Sequence, residues 1–238
     1  MYKNNLTTIN QTFIINLIVI TIFIFINPIY AITFTALISI VYNKINNLLL
    51  GILYVISFTL MFSNQNFTSG TDIGNYLSIY HQTDHHSYSD LLDIYYNNIM
   101  GNEVLWWYYS KSIGLLTGYN TNIFIFITYA LIFSLSAFLG FIISEQGRYN
   151  FSLFLFFLVF VDLTFIYLAY NMWRNILAVL LFLIGIVSID RGRYLIISRF
   201  ILYSSIFVHT SLVPLVVMYE LFLLLFSNSQ FKNLLYYI

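Results

Sequence analysis

The sequence predicts an all-α fold, a polytopic transmembrane helical bundle of about eight spans with one long external loop. Hydrophobic residues make up 60% of the 238 positions and charged residues only 8%, whereas a soluble domain carries roughly 25% charged residues. So few charges cannot cover the surface of a water-soluble globule, and a lipid surrounding removes that requirement. The aromatic content of 20% also suits membrane interfaces, where Tyr and Trp are enriched.

Eight apolar segments approach the length of about 20 residues that a membrane-spanning helix needs. They cover residues 12–26, 29–42, 48–62, 122–143, 151–170, 171–189, 194–209 and 212–226. Asn27 and Pro28 separate the first two, and both are short, so one long helix kinked at Pro28 is the alternative. That alternative reduces the predicted number of spans to seven.

All of these segments belong to a single predicted membrane domain. Its parts are N-terminal spans in 1–62, an external loop in 63–120, core spans in 121–226 and a cytoplasmic end in 227–238. No small-x-small cleavage site follows the first apolar run, so we expect that run to remain as the first anchor.

Basic residues orient the spans, because cytoplasmic loops hold an excess of Lys and Arg. With the N-terminus inside, seven of the nine bases fall on the cytoplasmic side and only two, Lys111 and Arg174, fall outside. The opposite orientation inverts this ratio and is rejected. The long loop therefore lies on the outer side of the membrane.

The external loop is acidic in its first half and apolar in its second. Residues 104–116 combine apolar and aromatic residues with polar breaks. This pattern is typical of a helix that lies on the membrane surface. A ninth span over the same residues is the alternative interpretation.

Arg174 is a cation on the side of the membrane that holds few of them, at the start of the sixth predicted span. The N-terminus of a helix favours an anion through its backbone N–H groups and its dipole. A guanidinium adds two-pronged hydrogen bonds suited to phosphate. We expect a phosphate or diphosphate site here, with a snorkelling interfacial arginine as the alternative.

His209 lies at the outer end of the seventh predicted span, at the same depth as Arg174. Its ordinary pKa near 6.5 suits a general base. Thr210, Ser211 and Pro214 predict a break between two helices, where backbone groups can line a polar cavity. A hydrogen-bonded interfacial histidine is the alternative.

Asp72 is a second candidate base, at the beginning of the external loop. Gly70 and Gly74 flank it and permit a tight turn. The alternative is a structural role, in which Thr71 or Asp72 caps the helix that follows.

A metal site and a cofactor are not expected. His81 and His85 have helical spacing and stand near Asp84 and His86, but their polar segment implies no fixed ligand shell. The sequence has no cysteine, which excludes thiolate ligands and a cysteine nucleophile. The zero net charge gives no basic face for nucleic acid.

Two acidic residues, Asp162 and Glu220, fall within predicted spans. Ionisable residues in a membrane are functional candidates, for a transport path or a proton relay. Equally, they can pair with polar side chains of facing helices.

Four motifs follow one another between residues 62 and 226. They are Gly70-Thr-Asp-Ile-Gly-Asn-Tyr, Asn102-Glu-Val-Leu-Trp-Trp, Asn171-Met-Trp-Arg-Asn-Ile-Leu-Ala and Val208-His-Thr-Ser-Leu-Val-Pro. Their order and content resemble the EpsG-like, Wzy-type bacterial polysaccharide polymerases. In that family the corresponding motifs are Gly-x-Asp-x-x-x-Tyr, Glu-Pro-x-Tyr, Arg-Gln-x-Leu-Ala and His-x-Ser. Asn175 replaces the usual Gln, residues 63–69 lack the frequent Arg, and relatives tend to be longer.

The resemblance implies that repeat units on undecaprenyl diphosphate are joined at the outer face of the bacterial cytoplasmic membrane, without an obligatory metal. The product would be O-antigen, capsule or exopolysaccharide, and a chain-length regulator is an expected partner. Arg174 would bind the diphosphate, and His209 or Asp72 would take the proton of the attacking hydroxyl. Contacts to sugars are expected from Tyr76, Trp106, Trp107 and Asn171. A transporter or flippase of lipid-linked sugars and a membrane acyltransferase are the alternatives.

Overall fold

The computed structural model describes residues 47–64, 72–91, 104–144, 172–192 and 195–227, together with Phe151, Phe154 and Ala169. All regular elements in this part of the chain are helical, which confirms the predicted all-α class for it. The α-helices are α1 (Asn47–Ser63), α2 (Asp72–Gln82), α3 (Val104–Thr117), α4 (Thr121–Ser144), α5 (Trp173–Asp190), α6 (Leu195–Val208) and α7 (Val213–Ser227). Short 3₁₀ helices cover Thr83–His85 and Thr210–Leu212.

Two of these helices, α4 with 24 residues and α5 with 18, are long and apolar enough to cross a membrane. Helices α1, α6 and α7 are apolar but shorter. Each of these five helices coincides with a predicted span to within two residues at either end. The predicted spans 12–26 and 29–42, and most of 151–170, lie outside the described residues.

The chain divides into two compact units, each assembled from two separate segments. The first unit contains Met1–Thr68 and Ile125–Asn171, and the second contains Ser69–Phe124 and Met172–Ile238. All residues that carry the site described below belong to the second unit.

In the first unit, an aromatic seam joins α1 to α4. Phe58 of α1 packs against Phe133 of α4, with ring centroids 5.2 Å apart. Tyr54 lies one turn before Phe58, and its hydroxyl shares a hydrogen bond of 3.0 Å with the Ser136 hydroxyl. Because both hydroxyls are buried, this bond prevents the cost of an unpaired polar group in an apolar core.

In the second unit, α5 and α6 form a tight antiparallel hairpin. Gly192 closes the turn with a φ of 65°, and its amide donates to the Ile189 carbonyl at 2.8 Å. Further along α5, Gly185 faces the backbone of Leu202, which is fully buried. The missing side chain of Gly185 therefore sets how closely the two helices approach.

The described part of the predicted external loop folds into α2, the first 3₁₀ helix and α3, which pack together. The buried face of α3 repeats at helical spacing, over Trp106, Trp107, Ser110, Lys111 and Gly114. Lys111 is only 6% exposed, and its ammonium donates to the Thr83 carbonyl at 2.9 Å. Lys111 was predicted only as one of two outer bases, and the structure shows that its side chain ties α3 to the end of α2.

Candidate functional site

Arg174 is the second residue of α5, as predicted from its place at the start of an apolar segment. Met172 is the N-cap, and its side chain makes no capping hydrogen bond. The amide of Ile176 donates to the Met172 carbonyl at 3.1 Å, which begins the helical ladder. The half-buried guanidinium is thus carried on the first turn of a helix, where the dipole favours negative charge.

Tyr76 of α2 lies against Arg174. The guanidinium carbon is 4.9 Å from the centroid of the Tyr76 ring, within the range of a cation–π interaction. The Tyr76 hydroxyl also lies close enough to the side chain and the backbone N–H of Arg174 for both to act on its pKa. Burial raises the pKa of Tyr76 above its usual value, and these contacts with Arg174 oppose the rise.

The Tyr76 ring is itself fixed by two tryptophans. Its centroid lies 5.2 Å from that of Trp106 and 5.8 Å from that of Trp173, the latter nearly parallel at 25°. Phe124 contacts both tryptophans at 6.2 Å and completes the cluster. Tyr76, Trp106, Trp173 and Phe124 are each at most 1% exposed. Helices α2, α3 and α5 and Phe124, in the first turn of α4, therefore form an aromatic cluster that includes the ring in contact with Arg174.

His209 lies in the predicted break, between the end of α6 and the second 3₁₀ helix. Its backbone is extended, with φ −152° and ψ 114°. Its amide donates to the Ser205 carbonyl at 3.0 Å, and its carbonyl accepts from the Leu212 amide at 3.2 Å. The imidazole is half-buried. Burial lowers the pKa of His209 below 6.5, and the positive charge of Arg174 lowers it further.

Asp72 is the first residue of α2, one helical turn before Tyr76. It is exposed, and its negative charge acts on the Tyr76 hydroxyl. Its place at the start of α2 agrees with the structural alternative, and its role as a base stays a prediction.

The structure thus links three predicted residues through charge: Arg174 and Asp72 both act on the Tyr76 hydroxyl, and Arg174 also acts on His209. They come from α2, α5 and the break after α6, so they are up to 137 residues apart in sequence (209 − 72).

The residues predicted to contact sugars are placed differently from the expectation. The rings of Tyr76, Trp106 and Trp107 are 1%, 1% and 5% exposed, and what they contact is protein. A ring needs a free face to stack on a sugar, so such stacking would require the cluster to open. Asn171 lies outside the described residues.

The histidines of the external loop do not gather around a metal. Among the described residues, no three His, Cys, Asp or Glu side chains form a metal-binding group. His81 instead shares a hydrogen bond of 3.0 Å between its Nε2 and the Thr121 hydroxyl. His81 thereby links α2 to the first residue of α4.

Glu220, predicted as an intramembrane functional candidate or a paired residue, has protein partners. It accepts a hydrogen bond of 2.8 Å from the Tyr203 hydroxyl and lies 3.7 Å from the Arg199 guanidinium. These contacts between α6 and α7 agree with the pairing alternative. Asp162 lies outside the described residues.

An apolar groove of about 440 Å³ lies within the first unit, between α1 and α4. Leu48, Ile52, Phe138 and Phe141 line it, and none of its lining residues is titratable. The groove can hold an apolar chain but has no group that could catalyse a reaction.

A scan against protein-family models and searches of curated proteins and of solved structures find no match for the chain.

The arrangement combines a cation at a helix N-terminus with an imidazole whose pKa is lowered and a carboxylate. Such a set can bind an anionic leaving group and remove a proton from a nearby hydroxyl. Sequence reasoning assigned Tyr76 to sugars and missed its contact with Arg174. Asp72 and Tyr76 are four residues apart, so a helix places them on the same face. This spacing could have indicated that Tyr76 lies near the same site as Asp72.

Proposed function

We propose that this chain is a polytopic membrane glycosyltransferase that joins lipid-linked oligosaccharide repeat units at the outer face of the bacterial cytoplasmic membrane. The donor would be carried on undecaprenyl diphosphate, as the resemblance to Wzy-type polymerases implies. The bundle of about eight spans and the outward orientation of the external loop are parts of this proposal.

One observation carries the proposal. Arg174, at the N-terminus of α5, lies close enough to His209 to lower the pKa of the imidazole and is held against Tyr76. A diphosphate leaving group needs a fixed cation, and an attacking hydroxyl needs a neutral base beside it. Arg174 and His209 also belong to the third and fourth of the motifs that resemble the polymerase family.

The proposed reaction is a direct displacement. The acceptor hydroxyl oxygen bonds to the anomeric carbon of the donor, and the bond from that carbon to the diphosphate oxygen breaks. The diphosphate keeps the electron pair, and Arg174 together with the helix dipole stabilises its growing charge. The hydroxyl proton passes to His209, with Asp72 as the second candidate acceptor.

The composition of the chain supports the membrane placement. Only 8% of residues are charged, and α4 and α5 are long and apolar enough to span a bilayer. A lipid-linked donor keeps its diphosphate at the membrane surface, which is the depth proposed for Arg174 and His209. The partners in this proposal are the lipid-linked oligosaccharide, the surrounding lipid and a chain-length regulator.

The test compares surface polysaccharide from cells that depend on this chain. We expect Arg174→Ala and His209→Ala each to reduce the polymerisation rate by about 10²-fold or more, so that short products replace long chains. The matched control is Arg199→Ala, which removes a guanidinium from the same unit that is paired with Glu220. It is expected to leave chain length unchanged.

Variant proteins are quantified in membranes before the polymers are compared. Long chains from either variant at normal protein levels would overturn the assigned roles. Loss of substrate flux with intact polymerisation would instead favour a transporter, and unchanged length with a missing acyl group would favour an acyltransferase.

A further inference from the structure

The contact between Tyr76 and Arg174 has the features of a support for a reacting group. Tyr76 presents its ring to the guanidinium at 4.9 Å, and both the side chain and the backbone N–H of Arg174 act on the pKa of its hydroxyl. One buried side chain therefore engages both the charged end and the backbone of the same residue.

The support is rigid because Tyr76 is packed on other rings. Trp106 and Trp173 hold the ring at centroid distances of 5.2 and 5.8 Å, and Tyr76 is 1% exposed. A side chain that is locked by packing keeps a functional group in place at little further entropic cost. An arginine on a helix surface otherwise has several rotatable bonds and many orientations.

We propose that Tyr76 is a positioning residue, which holds the Arg174 guanidinium at the N-terminus of α5 in the orientation that binds the diphosphate group of the donor. This inference depends on the proposed function, and it replaces sugar stacking as the role of Tyr76. Tyr76 does not touch substrate and acts through Arg174.

The same helix that carries Tyr76 also carries Asp72, one turn earlier. Tyr76 therefore joins the helix that carries Asp72 to the first turn of α5, through its contacts with Arg174 and Trp173. At the other end of α2, Tyr80 and His81 form hydrogen bonds of 3.0 Å with Thr117 and Thr121, respectively. These bonds fix the C-terminal end of α2.

The experiment measures binding and catalysis with the full chain purified in lipid nanodiscs. The binding probe is farnesyl diphosphate, a short polyprenyl diphosphate, and Trp fluorescence reports binding because Trp106 and Trp173 lie beside Tyr76. The variants are Tyr76→Leu, which removes ring and hydroxyl, and Tyr76→Phe, which keeps the ring.

We expect Tyr76→Leu to raise the Kd of farnesyl diphosphate by about ten-fold, the size of a partly buried cation–π contact. Tyr76→Phe should recover part of the affinity, because the ring remains under the guanidinium. In turnover assays with lipid-linked repeat units, kcat should fall more than KM rises, because orientation matters most in the transition state.

The matched control is Tyr80→Phe. Tyr80 lies one turn further along α2, is equally buried, and hydrogen-bonds to Thr117 instead of Arg174. Its loss is expected to lower thermal stability without changing the Kd, which separates a positioning role from a structural one. If Tyr76→Leu does not fold, the comparison of Tyr76→Phe with Tyr80→Phe still tests the inference.

Two failures are distinguishable. If Arg174→Ala abolishes binding of farnesyl diphosphate while both Tyr76 variants bind as tightly as the wild-type chain, the positioning role is wrong and the proposed function stands. If the wild-type chain does not bind farnesyl diphosphate, or Arg174→Ala binds it normally, the proposed diphosphate site fails and the inference fails with it.

Discussion

At the scale of single residues, the proposed chemistry depends on Arg174, which is always positively charged, and on His209, whose imidazole can gain or lose a proton. Burial and the charge of Arg174 both lower the pKa of His209. An imidazole that stays neutral at ambient pH can accept a proton, whereas an imidazolium cannot. Arg174, which would bind the leaving group, therefore also lowers the pKa of His209, the candidate base.

This coupling predicts a change in the titration of His209 when the guanidinium is removed. Arg174→Gln should raise the pKa of His209 toward 6.5, because the cation no longer opposes protonation. The measurement is NMR of the histidine ring in the purified protein, with His209→Gln to assign the signal among the four histidines.

Arg199→Gln is the control for that titration, and we expect it to leave the pKa of His209 unchanged. A wild-type pKa of His209 at or above 6.5, or no rise in Arg174→Gln, would contradict the prediction.

The lowered pKa of His209 also makes the folding stability depend on pH. His209 has a pKa of about 6.5 in the unfolded chain and a lower one in the folded chain, so on acidification the unfolded chain is protonated at His209 before the folded chain. The contribution of His209 to folding stability is therefore present above about pH 6.5 and is lost as the pH falls through the folded pKa.

At the scale of helices, the site depends on how closely neighbouring elements approach. Arg174 and His209 are brought together because α5 and α6 run antiparallel as a hairpin, and Gly185 permits the contact between them. A Cβ atom on Gly185 would lie 2.8 Å from the Cα of Leu202, which is backbone and cannot move aside alone. The close approach of α5 and α6 thus depends on the lack of a side chain at Gly185.

Gly185→Ala is therefore expected to destabilise the protein by about 1–3 kcal/mol, the usual cost of forcing extra volume into a packed interface. Thermal unfolding of the purified chain in lipid nanodiscs measures the change. Gly74→Ala is the control, because a Cβ there meets no atom within 4 Å and lies in the interior of α2.

We expect the control substitution to be neutral or to stabilise by about 0.5–1 kcal/mol, since alanine is the better helix former. Equal stability of Gly185→Ala and the wild-type chain would show that α5 and α6 separate without cost, contrary to the close contact described above.

At the scale of the whole molecule, the distribution of charge predicts which side of the membrane the site faces. The proposed orientation depends on seven bases inside and two outside, counted over the full sequence of nine. It places the acidic external loop, with α2 and α3, on the same side as Arg174 and His209. The reverse orientation would place the site in the cytoplasm, where a donor already flipped outward is not available.

The absence of native cysteines makes this orientation directly testable. Ser89→Cys lies in the exposed part of the external loop, and Gln146→Cys lies between the fourth and fifth predicted spans. In intact cells, a membrane-impermeant maleimide should label Ser89→Cys, whereas Gln146→Cys should react only after the membrane is opened. Labelling in the reverse order would overturn the orientation, and immediate labelling of both would contradict a span between them.

The sequence by itself determined the helical class, the positions of α1, α4, α5, α6 and α7 to within two residues, and Arg174, His209 and Asp72 as candidates. Apolar run length and charge bias are local properties, so they can be taken from the chain without knowledge of its packing. Only the tertiary structure decided which of these residues meet, because the contact between Tyr76 and Arg174 joins positions 98 residues apart (174 − 76). It also decided that Tyr76, Trp106 and Trp107 are buried, since burial depends on neighbours that are distant in the sequence.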